Sequence, residues 1–313
     1  MLGRIAFLGS GAFGVPLLHR LPALADELLV VSRPDRPAGR GLKTRAAPIA
    51  EASRTAGLRL VTPPGLRSDE ARATIAEFQP DGLLLAAYGE LVPRDWLAVA
   101  PRPPLNVHPS LLPRHRGAAP VAATILAGDP TAGVSLMVMV ERMDAGPLVG
   151  QWSVPLDGRE DTPTLEARLG ELAAEVVPER LAAWAAGTLD QAPQDEAQMT
   201  YQPAFTRADG WIDWRGSAEA IDRQVRALQP WPGAWTTLDG RRLHVRRAHP
   251  ITGLPGLPIG SLLPGTPPVV ACGLGALALE IVQPEGRPPM PSEAWRNGLS
   301  RDHVLLGLEA PPA

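Results

Sequence analysis

Asn106 and His108 stand two residues apart in Leu105-Asn106-Val107-His108-Pro109. On a β-strand that spacing turns both side chains to one face. The preceding Pro101-Arg102-Pro103-Pro104 and the following Pro109 keep such a strand short and put its end at His108. An amide beside an imidazole at a strand end can steady a carbonyl oxygen as it gains charge and move a proton next to it. The same pair could also do no more than satisfy backbone groups where a strand meets a loop. Asp144, in Glu141-Arg142-Met143-Asp144-Ala145-Gly146-Pro147, has the neighbours of an ordinary turn residue. Brought beside His108, its carboxylate would orient the imidazole and favour the charged ring.

An open α/β sheet would place these three together. Arg4 to Leu8 reads as a strand, followed by Gly9-Ser10-Gly11-Ala12-Phe13-Gly14 and a helix from Val15 to about Leu24. Strand, G-x-G-x-x-G and helix match the dinucleotide fingerprint, and Asp35 lies near the distance of a ribose ligand. Asp35 follows Arg33 and Pro34, past its strand, so the alternative is a tight strand-to-helix turn with no nucleotide. Strands are expected at 28–31, 58–61, 81–87, 134–140 and 148–154. Helices are expected at 46–56, 69–78, 93–99, from Gly117 to about 127, and at 162–186. Strand ends and loops carrying Tyr88, His108 and Asp144 are where such a sheet holds its ligand. A Gln-, Asp-, Pro- and Ala-rich stretch near 190–200 reads as a linker. Beyond it come a Ser-capped helix at 217–228 and short strands at 234–238, 243–247, 269–272 and 276–282, a pattern that suggests a small β-barrel.

The 313 residues, 45% hydrophobic, suffice for two cored domains. No apolar run reaches membrane-spanning length and no signal-peptide layout opens the chain. Cys272 is the only cysteine, which excludes an intrachain disulfide and suits a reducing cytoplasm. The six histidines are scattered, His108 with His115 is not a metal-ligand spacing, and no metal is expected. Neither a G-x-S-x-G elbow nor a P-loop is present. Net charge is −3, so any contact with nucleic acid needs a local basic patch. Residues 33–45 offer one: Arg33, Arg36, Arg40, Lys43 and Arg45 against Asp35, or +4, on a Pro- and Gly-shaped loop. That loop is either a solvated charge run or a phosphate contact. Arg241, Arg242, Arg246 and Arg247 form a second basic cluster.

The segment Asn106 to Gly117, with Pro120 after it and the Asp144-Ala145-Gly146 loop, resembles the signature of the folate-dependent formyltransferases. Within that superfamily Arg33-Pro34-Asp35-Arg36-Pro37-Ala38-Gly39-Arg40-Gly41 is similar to the methionyl-tRNA formyltransferase branch. Ala86-Ala87-Tyr88-Gly89, Ile212-Asp213-Trp214 and Pro230-Trp231-Pro232 fit as well, so the resemblance spans nearly the whole chain. It implies a Rossmann-like α/β domain with a largely parallel sheet over 1–189, a linker over 190–206 and an OB-like β-barrel over 207–313. It implies Asn106, His108 and Asp144 as catalytic residues and Ser110, Leu111, Leu112 and Pro113 as the folate-binding segment. The donor would be 10-formyltetrahydrofolate and the acceptor initiator methionyl-tRNA, contacted through Arg36, Arg40, Lys43 and Arg45. No metal, membrane or obligate protein partner is implied. Two departures stand out: Gly9-Ser10-Gly11 replaces the common Gly-Thr-Pro, and Ala122 or Ala123 replaces a usual polar residue. Other readings are a formyltransferase acting on a small amine such as an amino sugar, a non-catalytic tRNA-binding module, or an NADP-dependent oxidoreductase.

Overall fold

A strand in the middle of a parallel sheet is covered on both faces and can be apolar throughout, as Gly82-Leu83-Leu84-Leu85-Ala86 is. The computed structural model describes residues 1–38, 43–251, 257–299 and 304–309. The chain divides into two compact units, the first comprising Met1–Val121, Thr131–Pro155 and Thr164–Pro203. Its strands are β1 (Arg4–Gly9), β2 (Glu27–Val31), β3 (Arg36–Ala38), β4 (Lys43–Arg45), β5 (Arg59–Val61), β6 (Gly82–Ala86), β7 (Leu105–His108), β8 (Arg116–Gly117), β9 (Thr131–Val138), β10 (Leu148–Pro155) and β11 (Tyr201–Gln202). Its helices are α1 (Val15–Arg20), α2 (Pro48–Thr55), α3 (Asp69–Phe78) and most of α5 (Thr162–Ala186), while α4 (Pro120–Ala127) falls mainly among the second unit's residues.

The main sheet runs β10-β9-β7-β6-β1-β2-β5. From β7 to β5 all pairs are parallel, while β9 and β10 are antiparallel additions. The chain winds outward from β1 to β5, then returns to β1's other side with β6, which makes the C-terminal edge there the switch point for a ligand. The register sets Gly9 beside Ala86, and Ala86 beside Val107, so the loops after β1, β6 and β7 leave the sheet together.

The glycine motif after β1 serves this packing. A Cβ on Gly9 would stand 3.0 Å from the Ala86 carbonyl oxygen and one on Gly14 would stand 3.1 Å from it. Asp35 is paired with Arg54 at 3.2 Å. Both facts favour the tight turn over the dinucleotide reading. Residues 33–45, expected as a long loop, contain instead the antiparallel hairpin β3–β4, since Pro and Gly mask two three-residue strands. The stretch expected as a linker is structured through Gln202: β11 pairs with β8 and a 3-10 turn spans Glu196–Gln198.

The second unit holds α6 (Ala218–Ala227), capped by Ser217, and α7 (Ser292–Asn297). Its strands are β12 (Trp235–Leu238), β13 (Arg241–Ile251), β14 (Ser261–Leu263), β15 (Val269–Ala271), β16 (Ala276–Pro284), β17 (Met290–Pro291) and β18 (Val304–Leu305). They line up antiparallel as β12-β13-β16-β15-β14-β18, with β17 on β16. Just past β18, Gly307 N–H donates to the Thr237 carbonyl of β12 at 2.8 Å, so the sheet curls into a nearly closed barrel. Trp214, Ile221, Val225, Val245 and Leu279 fill its interior.

Candidate active site

β7 ends in mid-sheet, with His108 opposite Ser135 of β9 and Asn106 between Leu85 and Met137. Asn106 and His108 are 7% and 5% exposed. The structure brings Asp144 to them: its Oδ1 lies 3.8 Å from His108 Nδ1, too long for a hydrogen bond but close enough for direct charge attraction to an imidazolium. The other carboxylate oxygen accepts the Gly117 N–H at 2.8 Å. Asp144 holds a left-handed φ of 52°, a conformation Asp tolerates better than most residues.

On its far side His108 Nε2 is 3.0 Å from the carbonyl oxygen of His115. A carbonyl only accepts, so Nε2 carries the hydrogen and the neutral ring keeps its basic lone pair on Nδ1, facing Asp144. Asn106 Oδ1 is buried and has no hydrogen-bond partner. A buried polar atom left unpaired costs about 1–3 kcal/mol, which a bound group offering the complementary atom would recover. The two ends of an amide are interchangeable by rotation, so this edge can present a donor or an acceptor.

Around this centre the loop after β7 is tied down. Ser110 Oγ donates to the Arg114 carbonyl at 2.7 Å. Ser135 Oγ donates to the Ser110 carbonyl at 2.7 Å and accepts from Leu112 N–H at 3.0 Å. Gln151 Nε2 donates to the Leu112 carbonyl at 2.8 Å and to Ser135 Oγ at 3.0 Å. Ser110, Leu112 and Pro113 are therefore buried and held, and Leu111 alone of the four is half-buried. Tyr88, just past β6, has a buried hydroxyl without a partner. Burial, helped by the Glu90 carboxylate, pushes its pKa up to about 12 against the opposing pull of Arg33.

Of the basic-loop residues, Arg36 and Arg45 are exposed and directly opposite each other across β3–β4. Facing like charges repel unless an anion lies between them. Arg36 also approaches Glu90 at 4.0 Å. The Lys43 backbone belongs to β4, but its side chain and all of Arg40 lie outside the described residues. Among the described residues, no group of three or more His, Cys, Asp or Glu could hold a metal ion.

Sequence reasoning missed Ser135, Gln151, Arg116, Gln194 and Thr200. Ser135 left a signal, a lone polar residue in the apolar run of β9 that needs partners. Gln194 and Thr200 sit in aperiodic polar sequence and left none.

A free amide, an imidazole with a defined basic nitrogen and a carboxylate at the C-terminal edge of this sheet form a site for passing a carbonyl group between nucleophiles. Comparison with known proteins sharpens that class. The formyl transferase model matches residues 3–181, and the formyl transferase C-terminal domain model matches residues 205–300. The methionyl-tRNA formyltransferase of Roseiflexus sp. (strain RS-1) is 44% identical over 95% of this chain and 92% of its own. That of Thermus thermophilus is 40% identical over 94% and 96%. The chain belongs to the formyl transferase family, within the branch of the methionyl-tRNA formyltransferases.

More distant solved structures share the architecture alone. HypX from Aquifex aeolicus, solved in complex with tetrahydrofolic acid, has a TM-score of 0.65 at 20% identity over 94% of this chain. This chain spans 47% of HypX. WlaRD, a sugar 3N-formyl transferase solved with dTDP and 5-N-formyl-THF, has a TM-score of 0.66 at 12% identity over 92% of this chain and 100% of its own.

Proposed function

We propose that this enzyme transfers a formyl group from 10-formyltetrahydrofolate to the α-amine of methionyl initiator tRNA, giving N-formylmethionyl-tRNA in the cytoplasm. The free edge of Asn106, set beside an imidazole held between His115 and Asp144, is the observation that carries this reading. The amine attacks the formyl carbon, and the formyl oxygen gains charge that the Asn106 amide N–H steadies. His108 Nδ1 takes the proton that the attacking nitrogen sheds and hands it to the folate nitrogen as that carbon–nitrogen bond breaks. Asp144 offsets the charge of the intervening imidazolium. One carbon–nitrogen bond forms, one breaks, and one proton crosses.

In this reading the catalytic domain spans 1–189, residues 190–206 lead out of it, and the barrel spans 207–313. Leu111 gives the folate an apolar contact, on a loop tied down through the Ser110 hydroxyl and carbonyl and the Leu112 N–H and carbonyl. Arg36, Arg40, Lys43 and Arg45 meet the acceptor stem; the opposed Arg36 and Arg45 support this, since a phosphate between them would relieve their repulsion.

The deciding assay is transfer of labelled formyl from 10-formyltetrahydrofolate to initiator methionyl-tRNA, run beside elongator methionyl-tRNA and an amino-sugar nucleotide. Label on the initiator species supports the reading. Label on the sugar nucleotide and not on tRNA sinks it.

A further inference from the structure

Residues 192–202 form a strap along the edge of the first unit, bridged to Leu148 at one end and paired with β8 at the other. Its ends are fixed by backbone pairing. Ala192 exchanges two hydrogen bonds with Leu148, both 2.8 Å. At the other end Arg116 N–H donates to the Thr200 carbonyl at 2.9 Å and Ala118 N–H to the Gln202 carbonyl at 2.9 Å. Gly117 allows this close pass, since any Cβ there would stand 2.3 Å from the Gln202 carbonyl oxygen.

Between these anchors the strap makes two side-chain grips, one on each of His108's neighbours. The Gln194 amide nitrogen donates to the carbonyls of Asp144, at 2.8 Å, and of Gly146, at 2.7 Å. That fixes the turn in which Asp144 is held at positive φ. The Gln194 oxygen is itself locked by Arg116, accepting from Nη2 at 2.6 Å and Nε at 3.1 Å. Arg116 is 2% exposed, and its guanidinium is closed off by Glu196 at 2.7 Å. On the opposite flank Thr200 Oγ1 accepts the His115 N–H at 2.8 Å. The carbonyl of His115 is the group that holds His108 Nε2.

We infer that the strap is the positioning device of the site: Gln194 sets the Asp144 carboxylate against one ring nitrogen of His108, and Thr200 sets the His115 carbonyl against the other. Gln194 and Thr200 are thus positioning residues that act through Asp144 and His115. The physical reason for two grips is that an imidazole has two nitrogens to define, and fixing one partner alone leaves the ring free to turn or to exchange tautomers. The inference rests on the transfer reading above for its kinetic consequence, but not for its structural one.

The test therefore has two arms. In the first, the ring nitrogens of His108 are observed by NMR in the full chain at alkaline pH, where a free imidazole is neutral. The wild type should show the Nε2–H tautomer. Thr200→Val should give a mixture, and Thr200→Ser, which keeps the hydroxyl, should restore one form. In the second, Gln194→Met, near in size but unable to donate, should lower kcat about tenfold to a hundredfold, as small misplacements of catalytic groups do. KM for both substrates should stay within about threefold in that variant, no more than one ordinary hydrogen bond's worth. In an Asp144→Asn background the same substitution should add nothing, because its route to the chemistry is already cut. An unchanged tautomer in Thr200→Val, or a Gln194→Met loss that adds in full to that of Asp144→Asn, overturns the inference. If instead NMR behaves as expected but no formyl reaches methionyl-tRNA, the transfer reading fails and the strap's positioning role stands.

Discussion

Arg116 in the first unit and His244 in the second are cationic side chain types placed out of full contact with water, and they are treated in opposite ways. Arg116 meets an amide oxygen and a carboxylate, and its guanidinium in turn holds the Glu196 carboxyl below its usual range, first by hydrogen bonding. His244 lies half-buried on β13 with its Nδ1 unpartnered. Burial first, then the charges of Arg246, Arg242 and Arg207, drive its pKa down to about 4. Its neighbours are no better compensated: Arg242 stacks over Trp235 at 4.3 Å with a buried unpaired Nε, and the neutral amide oxygen of Gln283 holds Arg246. The difference teaches what each region is for. Near β7 charge is cancelled in pairs, so polar groups serve as fixed geometry. Along β13, where residues 242, 244 and 246 share a face, positive charge is kept and a histidine is made neutral to allow it.

The sharpest way to break the first half of that contrast is to remove a group that geometry alone supports. Asn106→Ala and His108→Ala should each cost about a hundredfold or more in kcat, the usual loss for an oxyanion donor or a general base. Asn106→Ala should leave the melting temperature unchanged or slightly higher, since it deletes an unpartnered buried atom. Steady-state transfer and thermal melts on the same preparations check both. Retained turnover in Asn106→Ala would show that the free amide edge is incidental.

Gly146→Ala comes next. Its new Cβ would stand 1.7 Å from the Val138 carbonyl oxygen, a contact with backbone that no rotamer change relieves. The turn must shift, carrying Asp144 with it, so about tenfold or more of the activity should go. Stability should fall by about 1–3 kcal/mol, as for other overpacked sites. Urea melts and transfer rates measure the two effects. A variant at full activity would mean the Asp144 turn tolerates displacement.

Arg116→Met tests the pairing itself. It leaves Gln194 with an unsatisfied oxygen and Glu196 without its buried partner, at a cost of about 2 kcal/mol in stability. Glu196→Gln keeps an oxygen beside the guanidinium but leaves its charge uncancelled at a 2% exposed site, so it should cost a comparable amount. If Glu196→Gln melts like the wild type, the cancellation drawn for the first unit is not what steadies Arg116.

How much of this could be read from sequence follows from period and spacing. Asn106, His108 and their shared face were legible because a strand has a two-residue repeat, and β6 because a fully buried strand is apolar throughout. The switch point followed from strand and helix alternation. Asp144 could be nominated but not placed, since 35 residues of intervening chain separate it from His108 with no period to follow. The hairpin β3–β4, the two-residue strands β8 and β11, and β14, β17 and β18 are too short for any periodicity to register. For β8, β11 and β18 the pairing partner is also distant in sequence. The strap was invisible for the same reason: its polar composition is that of a linker, and only tertiary contacts make it structural.

The smallest expected effect sharpens the other half of the comparison. His244 has an unfolded pKa near 6.5 and a folded one near 4, so between those values the unfolded chain binds more protons than the folded one. Stability therefore rises with pH across that window. It is fully present above about 6.5, is lost as pH falls toward 4, and changes no further below that. The whole shift would correspond to about 3 kcal/mol, but the ring is only half-buried, and solvent screening reduces this to on the order of 1 kcal/mol. His244→Gln cannot charge, so its stability should lose less on going from about pH 7.5 to about pH 4.5 than that of the wild type, by that same small margin. Denaturant melts of the full chain, followed through the second unit's tryptophans, measure the difference at the two pH values. Equal pH dependence in both proteins would mean that the arginines around β13 do not hold His244 neutral, and the contrast with Arg116 would reduce to burial alone.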